Sequence, residues 1–144
     1  MYITNMQYSE FLFQLFFNLK ALYQKNLNIP NISFQQALTL AIIDESGLKM
    51  SRLSKMLGID NSTTTRLIDG LEKKGLVRRR RDDFDSRSLK VFLTNDGEKI
   101  YTSIELQLEE ISFEIEKQLN KKNREQIVEA GIALNWALSK KLYK

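Results

Sequence analysis

Apolar residues in this chain keep helical spacing for most of its length and abandon it once. Up to Lys74 they recur every three or four residues, from Leu76 to Leu93 they alternate, and from Thr94 the helical spacing returns. A period of 3.6 lays an apolar stripe along a helix, whereas a period of 2 turns every second side chain of a strand to the same face. The expected fold is therefore mainly α (α+β), with a single two-stranded hairpin set among helices. At 144 residues the chain fits one domain, and a globular chain of this length buries roughly 70% of its unfolded surface without disulfide or metal.

The helices can be placed by their stripes and their ends. Phe11, Leu12, Leu15, Phe16, Leu19, Leu22 and Tyr23 predict a first helix over 8–25, and a turn over 26–31 holds the only Pro. Ser33 and Gln36 form a capping box for a second helix, which Ala37, Leu38, Ala41 and Ile42 continue to Ser46-Gly47. A third, short helix is expected from Ser51, as N-cap, to Leu57, before Gly58. The fourth has Asp60 as N-cap and ends at Lys74, with Gly75 suited to a left-handed cap. The hairpin follows, with Asp82-Asp83-Phe84-Asp85-Ser86 as its turn. Thr94 then caps a long helix striped by Ile100, Ile104, Leu108, Ile111, Ile115 and Leu119, and Asn120 separates it from a last helix carrying Ile127, Leu134, Leu138 and Leu142. The predicted order is α-α-α-α-β-β-α-α.

Charge is unevenly spread along that order. Lys49 to Lys90 holds 12 Lys and Arg against 6 Asp and Glu, while the rest of the chain holds 10 against 12. The positive excess peaks at Arg78-Arg79-Arg80-Arg81, with Arg87 and Lys90 close behind. Clustered Arg in a folded segment suits a polyanionic partner, because phosphate contacts release counterions. Cys and His are both absent, which removes thiol chemistry, zinc fingers and imidazole bases. There is also no Gly-rich phosphate loop, paired-acid motif or nucleophile elbow, so the chain reads as a non-enzyme without cofactor or metal. Met1 to Asn5 show no leader pattern, and the most apolar stretch, Phe11 to Leu22, is broken by Gln14, Asn18 and Lys20. A soluble, cytoplasmic protein without membrane contact is expected.

Two short helices joined by a Gly-containing turn and followed by a hairpin make a winged helix-turn-helix. In the helix after Asp60, Thr64, Leu67, Ile68 and Leu71 share one face. At about 100° per residue the opposite face shows Ser62, Arg66, Asp69 and Lys73, flanked by Thr63 and Thr65. Hydroxyls and Arg can approach a major groove closely, the Arg pairing with guanine. Hydroxyls at a helix start can equally satisfy its free N–H groups. In the wing, Arg80, Arg81 and Arg87 flank a turn able to set a guanidinium in the minor groove, while Asp85 is assigned to holding the turn.

The segments Leu53–Ile59, Asn61–Ile68, Leu71–Val77 and Asp85–Ser88 through Leu93–Gly97 resemble the MarR family of bacterial transcription regulators. The Asp-x-Arg wing followed by Leu-Thr-x-x-Gly is the most specific part. The resemblance implies an obligate homodimer that binds a pseudo-palindromic operator, most often as a repressor. On this reading residues 33–95 are the winged DNA-binding region, and 1–32 and 96–144 the helical dimerisation region. Recognition falls to Asn61, Ser62, Thr63, Thr65 and Arg66, and wing contact to Arg87. Thr64 stands where the family usually has Val, and Gly70 lies mid-helix at about 1 kcal/mol relative to Ala.

The apolar terminal helices independently call for a partner, and a two-fold interface would set two recognition helices about 34 Å apart, one DNA turn. The resemblance also implies a small lipophilic or phenolic effector. Phe11, Phe16, Tyr23 and Trp136 are candidates to line its pocket, although aromatics at helical spacing more often form core. The competing reading is a winged-helix protein–protein interaction module without DNA binding, which should carry apolar residues where Ser62, Thr65 and Arg66 lie.

Overall fold

A computed structural model describes residues 7–143; the leader reading of Met1 to Asn5 lies outside them. The elements are α1 (Tyr8–Asn26), α2 (Phe34–Ile42), β1 (Leu48–Lys49), α3 (Met50–Leu57), α4 (Asn61–Lys73), β2 (Val77–Arg81), β3 (Leu89–Leu93), α5 (Asn95–Glu116) and α6 (Lys121–Leu142). The helices and the hairpin follow the order read from periodicity.

Local chemistry starts most of these helices. Ser33 Oγ accepts from the Gln36 N–H while Gln36 Oε1 accepts from the Ser33 N–H, each at 3.1 Å, closing the capping box of α2. Asp60, Thr94 and Asn120 each accept from the N–H three residues on, capping α4, α5 and α6. Such a cap is worth roughly 1 kcal/mol. Two boundaries differ from expectation. The second helix stops at Ile42, because Ile43 is extended (φ −85°, ψ 114°) and buried, and Asp44 Oδ1 accepts from Ser46 N–H to turn the chain. The third begins at Met50 rather than after Ser51: Lys49 is its N-cap and offers no side-chain bond, since it also belongs to β1.

That short strand is the main correction. The sheet has three antiparallel strands in the order β1-β3-β2, not two. β1 pairs Leu48 with Val91, and the hairpin pairs Val77 with Leu93, Arg79 with Val91 and Arg81 with Leu89. A two-residue strand is too short to show alternation, so periodicity cannot report it.

The core lies under the wing and the helix-turn-helix. Leu40, Ile43, Leu53, Ile68, Leu71, Val77, Val91 and Ile104 are buried together. The root of the wing is joined to α5 by a close approach. The Thr94 N–H donates to the Leu76 carbonyl at 3.0 Å, and Thr94 Oγ1 donates to the Gly75 carbonyl at 2.6 Å. A Cβ on Gly97 would overlap the Leu76 carbonyl oxygen, so only Gly fits there. Gly75 ends α4 at φ +71°, a left-handed turn that also favours Gly.

The terminal helices contrast with this core. Neither α1 nor α6 has a buried residue. Phe13, Phe16 and Phe17 on α1, Phe113 on α5, and Ile127, Val128, Ile132 and Trp136 on α6 are all more than half exposed. Among the described residues, no helix is long and apolar enough to cross a membrane.

Candidate nucleic-acid interface

The helix-turn-helix is fixed by a buried polar link as well as by its apolar face. Ser54 Oγ donates to Thr64 Oγ1 at 2.8 Å, and Thr64 Oγ1 donates to the Asp60 carbonyl at 2.9 Å. The Thr64 hydroxyl is thus bonded as both donor and acceptor, and it ties α3 to the first turn of α4.

Asp60 organises that first turn. Its carboxylate accepts from Ser62 Oγ at 2.6 Å, Thr63 N–H at 2.7 Å and Thr63 Oγ1 at 3.0 Å. The Ser62 hydroxyl bond, then the Thr63 bonds, hold the Asp60 pKa at about 2. Thr65 Oγ1 donates to the Asn61 carbonyl at 2.9 Å. The hydroxyls of Ser62, Thr63 and Thr65 therefore donate into their own helix and leave lone pairs free. Those lone pairs can accept from the amino groups of adenine or cytosine, and a rotated hydroxyl can donate to a phosphate. Ser62, Thr65 and Arg66 are exposed, and Thr63 is half-buried.

The wing is joined to α4 by charge. Arg79 reaches Asp69 at 2.6 Å and Glu72 at 3.2 Å, and its backbone N–H donates to Glu72 as well. The hydrogen bond from Arg79 holds the Glu72 carboxyl below its ordinary range. Asp69, on the face read as open to a partner, is therefore engaged with the wing. Strand parity then divides the arginine run. Arg79 and Arg81 share one side of β2 with α4, while Arg80 stacks on Phe92 at 4.0 Å on the other.

The wing turn is held by its own carboxylates. Asp85 accepts from the Arg87 N–H at 3.1 Å, from Arg87 Nε at 3.3 Å and from Ser88 Oγ at 3.1 Å. Asp82 is buried; its burial opposes ionisation, but bonds from the Phe84 N–H and Lys49 outweigh this and lower its pKa. The Arg87 side chain stays 92% exposed despite its bond to Asp85, leaving the end of the guanidinium in water.

These parts meet in one groove of about 330 Å³, lined by Ser51 at the start of α3, Asn61 and Thr65 of α4, and Arg81 and Arg87 of the wing. α4 and the wing thus border the same space. Ser51 belongs to this lining, a position that its reading as a cap obscured. Arg80 does not join it.

The four aromatics considered for an effector pocket are not gathered into a cavity of this kind. Phe11 and Phe16 are exposed on α1, Tyr23 is half-buried, and Trp136 is exposed on α6 with the Lys140 ammonium of its own helix over its ring at 3.9 Å. A groove of about 440 Å³ does lie between α1 and α5, but its apolar lining is Leu22, Ile111 and Ile115, with Glu110 and Glu114 among its polar residues.

The MarR family model matches residues 32–89, from just before α2 to the start of β3. The HTH-type transcriptional regulator YfiV of Bacillus subtilis is 36% identical over 75 residues, 51% of this chain and 47% of that protein. The organic hydroperoxide resistance transcriptional regulator of the same organism is 32% identical over 76 residues, 52% of each chain. The chain spans about half the length of the curated relatives it matches. Among solved structures, Streptococcus pneumoniae FabT in complex with DNA superposes with a TM-score of 0.73 at 23% identity, covering 92% of this chain and 95% of that one. At that identity the likeness establishes the winged-helix fold.

Proposed function

We propose, from the premise that residues 32–89 are a MarR-family segment, that this chain is a sequence-specific DNA-binding transcription regulator, not an enzyme. It acts in the cytoplasm as a homodimer and represses by occupying a pseudo-palindromic operator. Residues 33–95 read the DNA, and 1–32 with 96–144 pair the two copies.

The observation that carries this reading is the shared groove, where α3, α4 and the wing present Ser51, Asn61, Thr65, Arg81 and Arg87 to one space. Ser62, Thr63 and Arg66 extend the recognition face into the major groove, and Arg87 enters the minor groove beside it. The polar character of Ser62, Thr65 and Arg66 favours DNA over a protein-binding role for that face. Dimerisation is supported by the large apolar side chains left exposed along α1, α5 and α6, since clustered exposed apolar surface marks a protein-interaction site. An effector would sit in the groove between α1 and α5, where Leu22, Ile111 and Ile115 meet polar side chains, rather than among the four dispersed aromatics.

Selection of bound fragments from genomic DNA at fixed salt, followed by competition, tests the function. A recovered palindromic site that outcompetes random duplex at least ~1,000-fold is the expected result. Equal binding of all sequences, or a monomer by sedimentation at micromolar concentration, overturns it.

A further inference from the structure

The wing ends in an aromatic side chain that nothing in the fold uses. Phe84 is 98% exposed, at the apex of the turn between β2 and β3. The turn itself is closed by hydrogen bonds. The Asp82 N–H donates to the Ser88 carbonyl and the Ser88 N–H to the Asp85 carbonyl, both at 2.9 Å, and the Phe84 N–H donates to Asp82 Oδ1 at 3.3 Å. Asp82 is paired with Lys49 at 3.4 Å and Asp85 with Arg87 at 3.3 Å. Two of the three carboxylates at the tip are thus neutralised within the fold, and Arg81 and Arg87 flank the aromatic in sequence, three residues to either side.

We infer that Phe84 is a wedge, inserted by the wing between base pairs on the minor-groove side of bound DNA. The inference rests on the DNA-reading function proposed above and adds a specificity-determining residue to it. Minor-groove proteins part a base step with an apolar side chain and kink the duplex there. Pyrimidine–purine steps open most easily, so the wedge selects such a step beneath the wing without any base hydrogen bond. Continuity supports DNA as the occupant: the aromatic sits at the tip of the same ribbon whose Arg81 and Arg87 line the groove shared with α4, so a duplex that meets Arg87 in its minor groove lies within reach of the tip. The carboxylate of Asp83 makes the tip a poor phosphate ligand, so what the apex contributes is apolar contact.

The test uses the intact protein on its selected operator, with the step under the wing located by footprinting and 2-aminopurine placed there. Because Phe84 packs against nothing, Phe84→Ala leaves the fold intact, as near-identical melting checks. Phe84→Ala is expected to weaken operator binding by about tenfold, within the range for losing one base–aromatic stack. It should also abolish the 2-aminopurine rise and the bend, and erase the preference for TA over AA at that step. The slope of log affinity against log salt should stay unchanged, since no charge is lost. Phe84→Leu, which keeps an apolar wedge, should retain most of the bend. A Phe84→Ala protein with wild-type affinity, bend and fluorescence overturns the wedge while the DNA-binding function stands; this is also the outcome if Phe84 serves a protein partner. A wild-type protein that selects no duplex removes both.

Discussion

One substitution, glycine to alanine, should give opposite results at two positions, and the structure sets both signs. At Gly97 the added Cβ would overlap the Leu76 carbonyl oxygen and lie 3.0 Å from the Leu76 carbonyl carbon. Both are backbone atoms at the root of the wing, held by Thr94 through bonds of 3.0 Å to Leu76 and 2.6 Å to Gly75. Neither can yield without moving α5 away from β2. Overpacking a rigid site costs about 1–3 kcal/mol or more, and Gly97→Ala belongs at the upper end because the bonds made by Thr94 are lost too. At Gly70 the Cβ would meet only Gln36 Nε2, at 3.4 Å, an ordinary van der Waals contact with the amide whose oxygen serves the α2 capping box. The backbone there is helical, so Gly70→Ala recovers the helix propensity of Ala, about 1 kcal/mol. Urea melts at one protein concentration should therefore show Gly97→Ala destabilised by ~3 kcal/mol and Gly70→Ala stabilised by up to ~1 kcal/mol. A stable Gly97→Ala variant, or a Gly70→Ala variant weaker than wild type, would refute the packing described for these helices.

Further outcomes test the interface. Arg66→Ala should weaken operator binding by ~1–3 kcal/mol and relax discrimination at one base position, read by competition against single-base variants. Arg81→Ala should lower the salt slope of binding by about 0.9, whereas Arg80→Ala should leave it unchanged; the reverse would place the DNA on the other side of the sheet. Asp60 ionises at about 2 in the folded chain against an ordinary 3.8, so its capping is fully present above pH 4 and is lost as the pH falls towards 2. An NMR titration of its carboxyl with a midpoint near 4 would mean the cap is not formed.

Much of this arrangement is written in short-range chemistry, and those parts are legible without coordinates. Ser33, Asp60, Thr94 and Asn120 act on atoms three residues away, so their caps can be read from spacing alone. Gly97 is different: only its approach to the Leu76 carbonyl, far away in sequence, shows why glycine stands there. Features that depend on distant pairing are not legible. β1 exists only because Leu48 finds Val91, and Ser54 meets Thr64 only after the turn folds α3 on α4. The division of the arginine run lies between. Strand parity already separates Arg80 from Arg79 and Arg81, yet only the contact with Asp69 and Glu72 shows which side faces α4. Phe84 could have been singled out as the lone aromatic in an acidic turn.

The junction of Thr94 and Gly97 with the end of α4 and the start of β2 has a mechanical corollary. α5 spans 22 residues, about 33 Å at 1.5 Å per residue, and its near end is fastened to the ribbon with no hinge between. The helix is therefore a rigid arm for the ribbon: a swing of roughly 10° at the joint is a displacement of about 6 Å at its far tip. Whatever grips that tip sets the angle at which the ribbon and its arginines are held out.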